Sequence, residues 1–318
     1  MKRTATEAVS RWIEPTGTDG SLVLQCPVCR EMIRPESARC RECGRTFART
    51  ESGQWDFRLK HGQVVTHESA YAPLAYDRLI DVPLRPEVQC NEVRNAYRGK
   101  IPRHLTVEQI SYIPQARSGD HALDLGCGFG IHRPVLEGLG YHYHGADYAG
   151  DAADHLIDAH ALPYGDNQFA LILSVAVLEH LAQPLLALRE AFRVLRERSY
   201  FVGTVAFLEP FHDNSFFHFT HVGLWHALGT AGFTVEAIMP IHGWHVARAQ
   251  VEMGFGARWP RWLTWMLTQP FAGAVEMYGA LGRLRGRDSA RHQRGSVLAR
   301  HAGAFCFVAR KGSASRGA

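Results

Sequence analysis

The chain reads as an α/β protein. The expected core is a seven-stranded sheet, parallel except for its last strand, with a metal-binding ribbon in front and a helical insertion before that last strand. Three observations lead there. From residue 119 onward, strand-length apolar runs alternate with helix-period segments, the pattern of a parallel sheet with right-handed crossovers. One run, Ala122-Leu-Asp124-Leu, ends in three alternating glycines, Gly126, Gly128 and Gly130, the mark of a sharp strand-to-helix turn. Two Cys-x-x-Cys pairs, Cys26/Cys29 and Cys40/Cys43, stand ten residues apart near the front.

In chain order, residues 1–20 form a tail without an apolar segment, so no secretory leader is expected and the compartment expected is the cytoplasm. Residues 21–52 hold the ribbon. Four thiolates from two such pairs reach the corners of a tetrahedron and suit a structural Zn²⁺ with no position left for water. Disulfides are disfavoured where no export signal is present. A segment this short cannot bury enough apolar surface to fold alone, and ligation supplies the missing stability. Arg30, Arg34, Arg39, Arg41, Arg45 and Arg49 crowd it, either as an RNA-contacting face or as solubilising charge. Residues 53–118, punctuated by Pro73, Pro83, Pro86, Pro102 and Pro114, read as a helical cap or linker over the cleft.

The domain proper spans 119–311. The spacing of Gly126, Gly128 and Gly130 differs from the Gly-x-Gly-x-x-Gly that seats a pyrophosphate on a helix N-terminus. Here Asp124, just before the turn, is placed to hydrogen-bond a cationic group such as an amino-acid ammonium. That favours S-adenosylmethionine over NAD. A second strand, His142–Asp147, ends in an acid suited to ribose hydroxyls. Asp158 follows a short third strand and suits an adenine amino group. The run Phe169–Val175 reads as a central strand covered on both faces. Pro184 opens a helix with Leu188, Ala191, Phe192 and Leu195 at helical spacing. Thr220 is the expected N-cap of a helix stopped by Gly232, and Phe233–Ile238 follows as a strand. The insertion, 240–302, is rich in Trp244, Trp259, Trp262, Trp265, Met266 and Phe271. It reads first as a lid, then as packing against the sheet edge or a second subunit, and third as an interfacial membrane contact. Ala304–Ala309 closes the sheet antiparallel, and 312–318 are a tail.

With ALDLGCGFG at 122–130, GADY ending at Tyr148, DAHALPYGDNQFALILSVAVLEHL from Asp158 to Leu181, and AFRVLR at 191–196, the chain resembles class I S-adenosylmethionine-dependent methyltransferases. The resemblance is to their small-molecule branch, related to the ubiquinone-biosynthesis methyltransferases. It covers about residues 119–238 and the last strand and implies a Rossmann-like core. It further implies that Asp124, Gly126, Gly128 and Gly130 hold the methionine part of the cofactor. Asp147 and Tyr148 would serve the ribose, and Asp158 with the Ala159 backbone the adenine. Cys127, a small filler of the glycine turn, and Ser174, near the end of the fourth strand, are counted with the cofactor-lining positions. The chain departs from that pattern twice. Only ten residues separate Asp147 from Asp158, so the usual second helix is expected to shrink to a turn. Arg196-Glu-Arg-Ser199 stands where the family commonly carries Lys-Pro-Gly-Gly.

Composition sets the outer limits. Hydrophobic residues make up 46% of the 318 and charged residues 21%, with a formal net charge of +4, too small to force a nucleic-acid reading. No run reaches the roughly 18 apolar residues a membrane span needs. Methyl transfer to a protonated acceptor needs a base, and His180 and His212, after the fourth and fifth strands, are the candidates. The leading function is methylation of an oxygen, nitrogen or carbon of a small or carbohydrate-linked metabolite. A second reading is RNA base methylation, because a cysteine zinc module before this fold also resembles zinc-containing rRNA guanine methyltransferases; no Asn-Pro-Pro-Tyr-type motif accompanies it. A third is a catalytically silent scaffold. Nothing in the sequence fixes the oligomeric state.

Overall fold

A computed structural model describes residues 22–33, 39–60, 63, 65, 84, 95, 97–102, 105–210, 214–284 and 297–312. The elements in order are β1 (Ala48–Arg49), β2 (Trp55–Asp56), α1 (Val107–Tyr112), β3 (His121–Leu125), α2 (Arg133–Gly138), β4 (His142–Asp147) and β5 (His155–Leu156). They continue through β6 (Phe169–Val175), α3 (Pro184–Val194), β7 (Leu195–Ala206), α4 (His221–Thr230) and β8 (Phe233–Pro240). The last are α5 (Val246–Gln250), α6 (Arg261–Leu284) and β9 (Ala304–Lys311). Most of the 53–118 segment, expected as a helical cap or linker, lies outside the described residues.

The sheet order is β1-β2-β5-β4-β3-β6-β7-β9-β8. Strands β5, β4, β3, β6 and β7 run parallel, and β9 enters antiparallel between β7 and β8. These seven are the Rossmann-like sheet that the sequence predicts. Among the described residues the sheet has nine strands, a correction with a clear cause. β5 is two residues long and has an open outer edge, and the ribbon's β2 occupies it in parallel, Trp55 opposite His155 and Asp56 opposite Leu156. An unpaired edge presents backbone donors and acceptors that need partners, and here the chain supplies them itself. The pairing strand lies beyond residue 52, where the sequence reading ends the ribbon.

Both sheet faces are covered. Leu123, Ile172, Phe201 and Phe307 pack on the α3/α4 side, and Ala122, Leu171, Val202 and Val308 on the α1/α2 side, as the two-residue strand period requires. Capping fixes the helices locally. Thr106 and Gln109 form a reciprocal capping box on α1, and Thr220 accepts from the Gly223 N–H at the start of α4. Between β4 and β5 there is only a turn. Helix α3 passes into β7 without a loop, and Arg198 stands at φ 61°, a left-handed conformation that glycine adopts more easily.

Candidate active site and ribbon

The carboxyl ends of β3, β4, β5, β6 and β7 share one edge of the sheet, and the polar residues gather there. At the β3 turn Gly126, Gly128 and Gly130 all have positive φ, 75°, 53° and 68°. Their reasons differ. A Cβ on Gly126 would meet Val177 Cγ2 at 2.3 Å, so this glycine is demanded by packing. A Cβ on Gly128 would meet nothing within 4 Å, so it would project into the open space a ligand resting on the loop would fill. The turn is pinned to β4 by the Gly126 and Cys127 N–H groups, both donating to the Ala146 carbonyl.

Asp147 ends β4 half-buried. Its carboxylate accepts from the Gly128 N–H at 2.8 Å and from the Tyr148 N–H at 2.7 Å, which fixes the acid against the glycine loop. Tyr148 is exposed, with the Arg58 guanidinium 5.6 Å from its ring centre. Asp158 accepts from His160 Nδ1 at 2.6 Å and from the His160 N–H at 3.0 Å. Burial works against its charge, but those bonds outweigh it and hold the carboxyl below its ordinary value. Ala159 is buried beside it.

Asp124 is placed differently from what the ammonium role requires on its own. It is fully buried, with the Tyr143 hydroxyl donating to Oδ2 at 2.8 Å and His132 Nδ1 at 3.1 and 3.2 Å from its two oxygens. Its charge is thus held behind the loop by two partners that the sequence reading did not name. His132 Nε2 is buried and makes no hydrogen bond among the described residues. Cys127 is buried, and burial together with Asp124, Asp147 and Asp154 pushes its thiol up to about 12, so it is an inert filler. Ser174 is buried near the end of β6, and its hydroxyl has no hydrogen-bond partner among the described residues. His180 sits half-buried in a single 3₁₀ turn, Leu178–His180, just after β6. His212 lies outside the described residues. Of the neighbouring histidines, His218 is exposed and His221 is half-buried, its pKa lowered by burial.

The four ribbon sulfurs lie within 4.8 Å of one another, with Cys26–Cys43 at 3.6 Å and Cys29–Cys40 at 3.4 Å. A tetrahedron of sulfurs about 2.3 Å from zinc has edges of about 3.8 Å, so side-chain shifts of about 1 Å or less bring the cluster to that geometry. The spacing is far too long for disulfides. Both knuckles close alike: the Arg30 N–H donates to the Cys26 carbonyl and the Gly44 N–H to the Cys40 carbonyl, with φ of 65° and 71°.

This ribbon is joined to the core. Arg30 forms a bidentate pair with Glu190 of α3, 2.7 Å to each oxygen, and Glu190 also holds Arg193 and the Leu162 N–H. Gln54 Nε2 donates to the Gly150 and Ala153 carbonyls, and Arg58 to the Tyr148 carbonyl, so the ribbon grips the turn that follows Asp147. Arg39, Arg45 and Arg49 are likewise engaged, on the Gly44, Arg58 and Gly53 carbonyls.

A family model described as a methyltransferase domain matches residues 123–203, from the glycine turn into β7. No curated protein matches the sequence. Among solved structures, a chain of the complex between the Haloferax volcanii Trm112 methyltransferase activator and a methyltransferase is 16% identical. The match covers 66% of this chain and 89% of that one, with a TM-score of 0.43. A Bacillus halodurans methyltransferase is 14% identical over 64% of this chain and 96% of its own, with a TM-score of 0.41. A Galdieria sulphuraria protein described as a sarcosine dimethylglycine methyltransferase is 15% identical over 61% and 78%, with a TM-score of 0.39. No substrate or residue role passes from them to this chain.

Proposed function

We propose that this chain, whose residues 123–203 match a methyltransferase-domain model, is a class I S-adenosylmethionine-dependent enzyme that methylates an oxygen, nitrogen or carbon nucleophile of a small or carbohydrate-linked metabolite. The observation that supports cofactor binding most directly is the pairing of an open backbone cradle at Gly128 with the Asp147 carboxylate 2.8 Å from its N–H. The cofactor supplies a methyl carbon already activated on a sulfonium. What remains for the protein is positioning and the handling of a proton.

In this reading Gly126, Gly128 and Gly130 hold the methionine part, with Asp124 and Cys127 behind them. Asp147 and Tyr148 take the ribose, Asp158 and the Ala159 backbone the adenine, and Ser174 lines the floor. His180 accepts the proton of the acceptor group, and His212 is the second candidate for that role. Imidazole suits it because its pKa lies near neutrality. An RNA acceptor is less well supported, since Arg30, Arg39, Arg45 and Arg49 spend donors on the protein itself. The test is calorimetry with S-adenosylmethionine. Asp147→Ala is expected to weaken binding by about 1–3 kcal/mol, the worth of hydrogen bonds to a charged group. Gly128→Val, which fills the cradle, should abolish it. Unchanged affinity in folded variants refutes the cofactor site. A gel shift with total RNA that is tight and steeply salt-dependent would favour the RNA reading instead.

A further inference from the structure

The insertion between β8 and β9 is built inside out. Its long helix, α6, turns polar residues inward: Thr264 is 0% exposed and Thr268 3%, and Thr264 Oγ1 donates to Glu252 at 2.7 Å. Outward it turns large apolar ones, with Trp262 67% exposed, Met266 51% and Met277 62%. On a helical period of 3.6 residues, positions 262, 266, 273, 277 and 281 fall on one side, all of them apolar, with Gln269 and the exposed Glu276 along one margin. At 1.5 Å per residue the 24-residue helix is about 36 Å long. An exposed apolar strip running from Trp262 to Leu281 along this helix is more than a soluble monomer commonly leaves in water.

Charge decides what covers it. Exposed Arg258 and Arg261 stand at the start of α6 beside Trp259 and Trp262. At the far end the sequence from 283 to 300 carries six arginines against one acid, Asp288. An apolar strip that opens on tryptophan and arginine, leads into a basic stretch of sequence and carries one exposed acid, Glu276, at its margin has the make-up of a helix lying in the headgroup region of a negatively charged bilayer. No helix among the described residues is long and apolar enough to cross a membrane, so the contact is in-plane. We infer that α6 docks this protein on the surface of anionic phospholipid membranes. The insertion is rooted at the carboxyl edge of the sheet, where the Gly303 N–H donates to the Trp244 carbonyl and the Trp244 indole donates to Glu209. Docking would therefore bring the catalytic edge to the membrane. The inference does not depend on the acceptor proposed above.

The test is flotation of the full chain with phosphatidylcholine vesicles, with and without phosphatidylglycerol. The wild type is expected to float with the phosphatidylglycerol vesicles, less so as salt is raised. Trp262→Glu with Met277→Glu, both at exposed positions, should lower that binding at least about tenfold while leaving the thermal melt unchanged. Three results would overturn the inference: a wild type that stays soluble with both vesicle types, a double variant that floats as the wild type does, or a wild-type dimer that the same two substitutions dissociate, which would give the face to a second copy.

Discussion

Replacing Gln54 by alanine isolates the link between the ribbon and the cofactor edge. The wild-type amide donates two hydrogen bonds, to Gly150 at 3.0 Å and Ala153 at 2.5 Å, and both acceptors lie in the turn that replaces a helix after Asp147. Gly150 is exposed, so water can satisfy its carbonyl in the variant. Ala153 is buried, so its carbonyl loses a partner that water replaces poorly. With a net hydrogen bond worth about 1 kcal/mol, and more where a buried acceptor is stranded, the turn should lose about 1–2 kcal/mol of order. Cofactor binding must restore that order through Asp147, so affinity should fall by about 5- to 30-fold. The assay is calorimetry with S-adenosylmethionine on full-length protein, with metal content measured on the same sample. An affinity within about twofold of wild type, in a variant that keeps its metal, would refute the coupling.

Three other outcomes follow from the same geometry. Elemental analysis should find one zinc per chain, and Cys40→Ser should lose it and weaken cofactor binding at least as much as Gln54→Ala. Burial opposes the Glu190 charge, but Arg193 and Arg30 outweigh it and hold its carboxyl below 4.5; its stabilisation is therefore complete above that value and lost as pH falls through the lower folded pKa. Thermal melts taken as pH falls through and below the ordinary glutamate range should thus fall more steeply for wild type than for Glu190→Gln, and parallel curves would count against the stabilising role of the Glu190 pairs with Arg193 and Arg30. Arg198, exposed at φ 61°, carries left-handed strain of about 1–2 kcal/mol, so Arg198→Gly should hold or raise stability by up to about 1 kcal/mol after the entropy glycine adds to the unfolded chain, while Arg198→Val should lower it in denaturant melts.

What could be read from sequence was what residue type alone enforces. Gly126, Gly128 and Gly130 announce a backbone that few other residues tolerate, and the four cysteines announce a tetrahedron. Strand runs such as Phe169–Val175 are legible because a doubly covered strand must be apolar throughout. Pairings across distance left no such mark. Glu190 stands on a helix face otherwise filled by Ala187 and Leu188, and two of the partners that accompany its burial, Arg30 and the Leu162 N–H, lie 160 and 28 residues earlier in the chain. The His132–Asp124–Tyr143 group is equally silent, since a histidine in a first helical turn has many ordinary uses. In α6 the wealth of large apolar residues was visible but the direction they face was not. Periodicity tells which residues share a face, and says nothing of whether that face is turned inward or outward.

The β2–β5 pairing also sets an order of events during synthesis. Residues 22–60 leave the ribosome about a hundred residues before His155 and Leu156 exist to receive them. The knuckle contacts are local, Cys26 to Arg30 and Cys40 to Gly44, so the ribbon can take its metal at once. Its docking strand then waits, already shaped, for an edge still to be made. A chain translated without metal reaches the same point with β5 bare. Such an edge pairs readily with a neighbouring chain, so aggregation is expected to rise when the chain is translated without metal.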